Sequence, residues 1–111
     1  MGANVVEIND TNFQSEVISS EQPVLVDFWA PWCGPCLTMA PQFEAAAARL
    51  EPRLRLAKVD TEAEPALAAR YGIRSIPTLV LFASGREIAR QAGALQADHI
   101  VLWAGRNLPQ R

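Results

Sequence analysis

"DFWAPWCGPCLTMAP", residues 27–41, holds the only two cysteines of the chain, Cys33 and Cys36, with Gly34 and Pro35 between them. Such a pair can be a redox couple, half of a metal site or a structural staple. With 111 residues, half of them hydrophobic, the chain suits one compact domain, residues 1–111, that folds without a disulfide. A bridge across so short a loop removes little entropy from the unfolded chain, which weakens the staple. Tetrahedral zinc wants about four Cys or His ligands. Besides the pair, the chain offers one histidine, His99, more than sixty residues away, so no metal site is expected unless two copies pool their cysteines.

The charge balance narrows the partners. A net charge of −2, with every Lys and Arg at position 49 or later, argues against nucleic acid or an acidic membrane surface. No basic segment followed by an apolar core opens the sequence, and no apolar run approaches the length of a membrane span. A cytoplasmic, reducing location is the resulting expectation.

Hydrophobic patterning outward from the cysteines predicts alternating strands and helices. "VLVDFWA", 24–30, is an almost continuous apolar run, as a central strand covered on both faces requires. Upstream, "VVEI", 5–8, predicts a short strand, followed by a helix capped by Asn9 or Asp10 and running to about Ser19. Downstream, a helix starts near Cys33 and carries a structural kink at Pro41. "LRLAKVD", 54–60, is a strand, and "EPALAARYG", 64–72, a helix with Pro at its start and Gly at its end. "TLVLFA", 78–83, and "EIARQAG", 87–93, flank Ser84-Gly85 as a hairpin, and residues 97–108 form a closing amphipathic helix. The order βαβαβαββα is an α/β fold, a mixed sheet with helices on both faces.

That order places Cys33 just after a strand, at the first turn of a helix, where unpaired backbone N–H groups and the helix dipole favour the thiolate. Cys36 lies one turn further in, placed to close a disulfide with it. Gly34 permits close approach of another backbone, and Pro35 pre-sets the helical φ. The pattern describes a dithiol built to open and close.

"FWAPWCGPC", the preceding "VDFW", "RYGIRSIPTLVLF" and the later "GAL" resemble the thioredoxin family in order and spacing over nearly the whole chain. From "MAPQFE" through "VDTEAE" to "GIRSIPT", the second half is similar to the catalytic domain of bacterial thioredoxin-2, without the cysteines of its zinc module. The resemblance implies the thioredoxin fold, a central five-stranded sheet in the order 1-3-2-4-5. It also implies a general protein disulfide reductase needing no cofactor beyond its own Cys33–Cys36 couple. Cys33 is then the nucleophile that forms a mixed disulfide with a client, and Cys36 resolves it.

Asp27, inside an apolar strand, shares its face with Leu25 and Trp29, so exposure would place two large apolar groups in water. Burial raises a carboxyl's pKa, which suits the proton acceptor that Cys36 needs. By the resemblance Lys58, the only lysine, lies near Asp27 and tunes it. An X-Pro bond is cis only about one time in twenty. The resemblance of "IPT" to the family's loop nonetheless implies a cis bond at Ile76-Pro77, beside the dithiol. Trp32, Gly34, Pro35, Ile76, Pro77, Ala92 and Gly93 then form a flat apolar surface for disulfide-containing client proteins. Trp29 is expected to pack beneath the site. Leu37 departs from the Lys or Arg common in the family after the second cysteine.

A thioredoxin reductase is the expected electron donor, and a monomer the expected state. Two alternatives use the same fold: a disulfide oxidase or isomerase, and a non-catalytic interaction subunit that tolerates loss of both cysteines. Gly-Pro between the cysteines resembles the reducing members.

Overall fold

A computed structural model describes residues 5–109. Strand β2 (Val24–Trp29) lies at the centre, parallel to β3 (Arg55–Asp60) and antiparallel to β4 (Thr78–Ala83). With strands on both edges and helices over both faces, five of its six residues are buried, as its unbroken apolar run requires. β1 (Val5–Ile8) adds parallel to β3, and β5 (Arg86–Ala92) antiparallel to β4, giving the five-stranded order β1-β3-β2-β4-β5. This is the predicted order.

Strand alternation sorts the core into two layers. Leu25, Leu56, Leu79 and Leu81 face helix α1 (Gly34–Leu50) and helix α3 (Ala97–Asn107), where Met39, Phe43, Leu50 and Ile100 meet them. Val24, Val26, Phe28, Val80 and Phe82 face the other way, against Phe13, Val17 and Leu67 of helix α2 (Pro65–Arg70). Each such side chain, fully buried, contributes about 1.5–3 kcal/mol relative to exposure. Tyr71 closes that second layer, its ring 5.1 Å from Phe82 and 5.7 Å from Phe13. Asp27 lies on the α1 side, one residue from Val26 and two from Leu25.

Between β4 and β5 the chain turns at Ser84 and Gly85, both at positive φ (52° and 78°), the mirror-image turn that suits hairpin twist. A Cβ at Gly85 would stand 3.1 Å from the Ile18 carbonyl, so space as well as φ favours glycine here.

One local expectation needs correction. The first helix is a short π-helix, Gln14–Ile18, rather than an α-helix, with the Ser19 N–H donating to the Gln14 carbonyl five residues back at 2.8 Å. Asn9 caps the turn that leads into it, as expected: its side chain accepts from the Thr11 and Asn12 N–H groups at 2.9 Å and its carbonyl from the Phe13 N–H at 3.0 Å, while Asn12 Nδ2 donates to the Glu7 carbonyl. Cys33 is the N-cap of α1, with an extended backbone, in keeping with a helix that starts near it. The helix α1 continues through Pro41 to Leu50, as expected, the proline forgoing the one backbone hydrogen bond its ring nitrogen cannot make.

Candidate active site

The polypeptide leaves β2 at Trp29, turns through Pro31 and Trp32, and enters α1 at Gly34. The Cys33 N–H donates to the Ala30 carbonyl at 3.2 Å, closing the turn. The Cys36 N–H donates to Cys33 Sγ at 3.2 Å. A free N–H of the first helical turn is thus aimed at one sulfur, an arrangement that stabilises negative charge there when the disulfide opens. Cys33 and Cys36 are joined in a disulfide, their Cα atoms 5.2 Å apart. Cys33 retains 5 % exposure against 1 % for Cys36, so the two cysteines are unequal in burial as well as in electrostatics.

Facing the disulfide is the loop before β4. The Ile76–Pro77 bond is cis, and the Ile76 carbonyl lies 3.8 Å from Cys33 Sγ. The loop is held from within by Thr78 Oγ1, which donates to the Ser75 carbonyl at 2.6 Å, and from β5 by the Gly93 N–H, which donates to the Pro77 carbonyl at 2.9 Å. Gly93 sits at φ +95°, which only glycine adopts freely, and this lets the chain leave β5 while keeping that bond. Around the sulfurs Trp32 is 68 % exposed. Gly34, Pro35, Ala92 and Gly93 are exposed, Ile76 is half-buried and Pro77 is buried. A Cβ built on Gly34 would meet nothing within 4 Å, so the space above this residue is open to a second molecule. Trp32 and Ile76 also line a shallow pocket of about 180 Å³.

Beneath the disulfide, Asp27 is buried, with 4 % exposure. Burial pushes its pKa from 3.8 up to about 7, and Lys58, its register partner on β3, opposes that rise with positive charge. Among the described residues, Asp27 Oδ1 has no hydrogen-bond partner. The Lys58 ammonium lies 5.2 Å from the centroid of the Trp29 ring, so the tryptophan supports the lysine while its indole packs under Cys33 and Cys36. Asp27, Cys36, Lys58, Leu37 and Glu44 line one cleft of about 210 Å³ that opens to solvent. Two carboxyls, one lysine and the inner cysteine thus share a water-sized route outward.

Sequence reasoning had no way to place Glu44 on this cleft, because only the packing of α1 across the sheet brings residue 44 over residue 27. Leu37, 52 % exposed, forms a wall of the same cleft. Among the described residues, no three His, Cys, Asp or Glu side chains gather where they could hold a metal ion. No helix among them is long and apolar enough to cross a membrane.

The Thioredoxin family model matches residues 4–106. The chain belongs to the thioredoxin family. It is 46 % identical over 106 residues to Thioredoxin C-3 of Corynebacterium nephridii, covering 96 % of this chain and 72 % of that one. Thioredoxin of Haemophilus influenzae is 43 % identical over 106 residues, covering 96 % and 99 %. Thioredoxin of Porphyra purpurea is 47 % identical over 92 residues, covering 83 % and 86 %. None of the three bears the thioredoxin-2 name, and the likeness of the second half to that group gains no support from them. The protein is a thiol–disulfide oxidoreductase, a protein-disulfide reductase whose redox group is the Cys33–Cys36 disulfide.

Leu37 marks where this thioredoxin differs from the Lys or Arg expected after the second cysteine. Leu37→Lys adds a cation at the N-terminal turn of α1 and at the wall of the Asp27 cleft. The midpoint of Cys33 alkylation against pH is expected to move to lower pH, by up to about one unit. An unchanged alkylation curve would mean that solvent screens this position from the sulfur.

Proposed function

We propose that the protein reduces disulfides of client proteins, with Cys33 as nucleophile, Cys36 as resolving thiol and Asp27 as proton acceptor. The single observation that supports this assignment best is the inequality of the two sulfurs: Cys33 is the less buried and receives the helical N–H, while Cys36 is buried beside Asp27's cleft. The Cys33 thiolate attacks one sulfur of the client disulfide. A new S–S bond forms and the other client sulfur leaves as a thiolate. Cys36 then loses its proton to Asp27, directly or through water in the cleft, and its thiolate attacks Cys33 Sγ. The client departs with two thiols, and two electrons have passed from the protein's dithiol to the client disulfide. Lys58 holds Asp27 ready by opposing the rise that burial imposes on its pKa.

Clients dock on the surface made by Trp32, Gly34, Pro35, Ile76, Pro77, Ala92 and Gly93. An extended client segment runs beside the Ile76–Pro77 backbone as an added strand. A thioredoxin reductase returns the disulfide to the dithiol, and the family relationship supports both partners. The protein acts as one domain and a monomer, in the cytoplasm, without a bound cofactor. The experiment that tests this is trapping. Cys36→Ser is expected to accumulate client proteins on Cys33 as adducts that a reductant releases. Adducts forming equally on the Cys33→Ser variant would reverse the assignment, and none on either would remove it.

A further inference from the structure

The loop from Gly72 to Pro77 is held at its far end by the N–H of Gly93, just past β5, and at its near end by a side chain of β5. Helix α2 stops with a paired motif: the Gly72 N–H donates to the Ala69 carbonyl at 3.0 Å and the Ile73 N–H to the Ala68 carbonyl at 2.9 Å. The Tyr71 and Gly72 carbonyls lie past this end, where intrahelical donors run out. Arg90 of β5 supplies the missing donors. Its Nη2 donates to the Tyr71 carbonyl at 2.6 Å and its Nη1 approaches the Gly72 carbonyl at 3.4 Å. The other side of the guanidinium is clasped by Glu87, with Nε and Nη2 donating to the two carboxylate oxygens at 2.7 and 2.8 Å. Four contacts from one planar group fix its orientation in a way that a lysine, with a single rotating ammonium, does not.

We propose that Arg90, oriented by Glu87, is a positioning residue for client recognition. It anchors the start of the loop whose end carries Ile76 and Pro77, so that β5 brackets the loop from both sides. Neither Arg90 nor Glu87 lines the Trp32 pocket or touches the sulfurs, so any effect on clients passes through the backbone of residues 71–77. The inference rests on the reading of that loop as client-facing, given above.

Steady-state reduction of insulin and of hydroxyethyl disulfide separates the possibilities, with Arg90→Met, Arg90→Lys and Trp32→Ala measured side by side. Arg90→Met removes every donor but keeps the stem. It is expected to raise the insulin KM by about tenfold, the scale of one lost charge-assisted hydrogen bond, and to affect the small disulfide far less. Arg90→Lys is expected to recover part of that loss. Equal proportional losses on both substrates, or a lowered melting temperature with an unchanged insulin KM, would overturn the proposal. If Trp32→Ala raises the insulin KM and Arg90→Met does not, the bracket fails and the client surface stands. If neither moves it, the surface reading fails and this inference with it. Should Arg90→Met not fold, Arg90→Lys decides alone, since the proposal requires its insulin KM to rise by at least about threefold.

Discussion

Asp27→Asn is expected to stabilise the oxidised protein by roughly 4 kcal/mol at pH 9, and by almost nothing below about pH 4. The carboxyl is buried, and its pKa stands at about 7 against 3.8 for the ordinary group, with desolvation the larger cause and Lys58 acting against it. Between these two values the folded protein holds a proton that the unfolded chain has released. Stability therefore falls as pH rises from about 4 through about 7, and the whole cost is present above that range. Asparagine keeps the shape of the protonated acid and cannot ionise, so the variant escapes the cost. Urea unfolding at a series of pH values measures it. A stability difference independent of pH would show that Asp27 does not change its charge on folding.

The same substitution carries an opposite effect on chemistry. With no carboxylate in the cleft, Cys36 has lost its proton acceptor, and resolution of the mixed disulfide is expected to slow by about a hundredfold near neutral pH. A more stable and slower enzyme is the signature of a buried ionisable group kept for its reaction rather than for the fold.

Cys33→Ser is expected to lower insulin reduction to the uncatalysed rate. In the reduced wild-type protein, iodoacetamide should modify Cys33 about a hundredfold faster than Cys36 below pH 8. Both follow from the inequality of the sulfurs. The N-cap position exposes Cys33 to the Cys36 N–H at 3.2 Å, while Cys36 is sealed to 1 % exposure under Ala30 and Trp29. Peptide mapping after brief alkylation decides the matter, and equal labelling would overturn the division of roles. Insulin reduction persisting in Cys33→Ser would place the nucleophile elsewhere.

Most of the architecture was legible before any coordinates. The strand β2 announced itself as a central strand because a segment covered on both faces must be apolar at every position, and its one exception, Asp27, was conspicuous for that reason. The hairpin at Ser84 and Gly85 was equally plain, since positive φ at both central residues demands a particular chemistry. The π-helix at Gln14–Ile18 was not, because the periodicities of α- and π-helices barely differ over five residues and the deciding contact is one backbone bond, Ser19 N–H to the Gln14 carbonyl. Nothing local marks the second cis bond, Glu51–Pro52, either.

What the sequence determined by itself is whatever depends on neighbours in the chain: strand and helix periods, the C-x-x-C at a helix start, and the family to which those motifs belong. Tertiary structure decided what depends on residues far apart. Glu44 and Leu37 reach the Asp27 cleft only because α1 crosses the sheet above β2. Arg90 meets Tyr71 and Gly72 only because β5 pairs beside β4. The physical reason is one of range. Backbone propensity and hydrophobic period act over a few residues, whereas desolvation and hydrogen-bond partnership depend on how packed elements enclose a group.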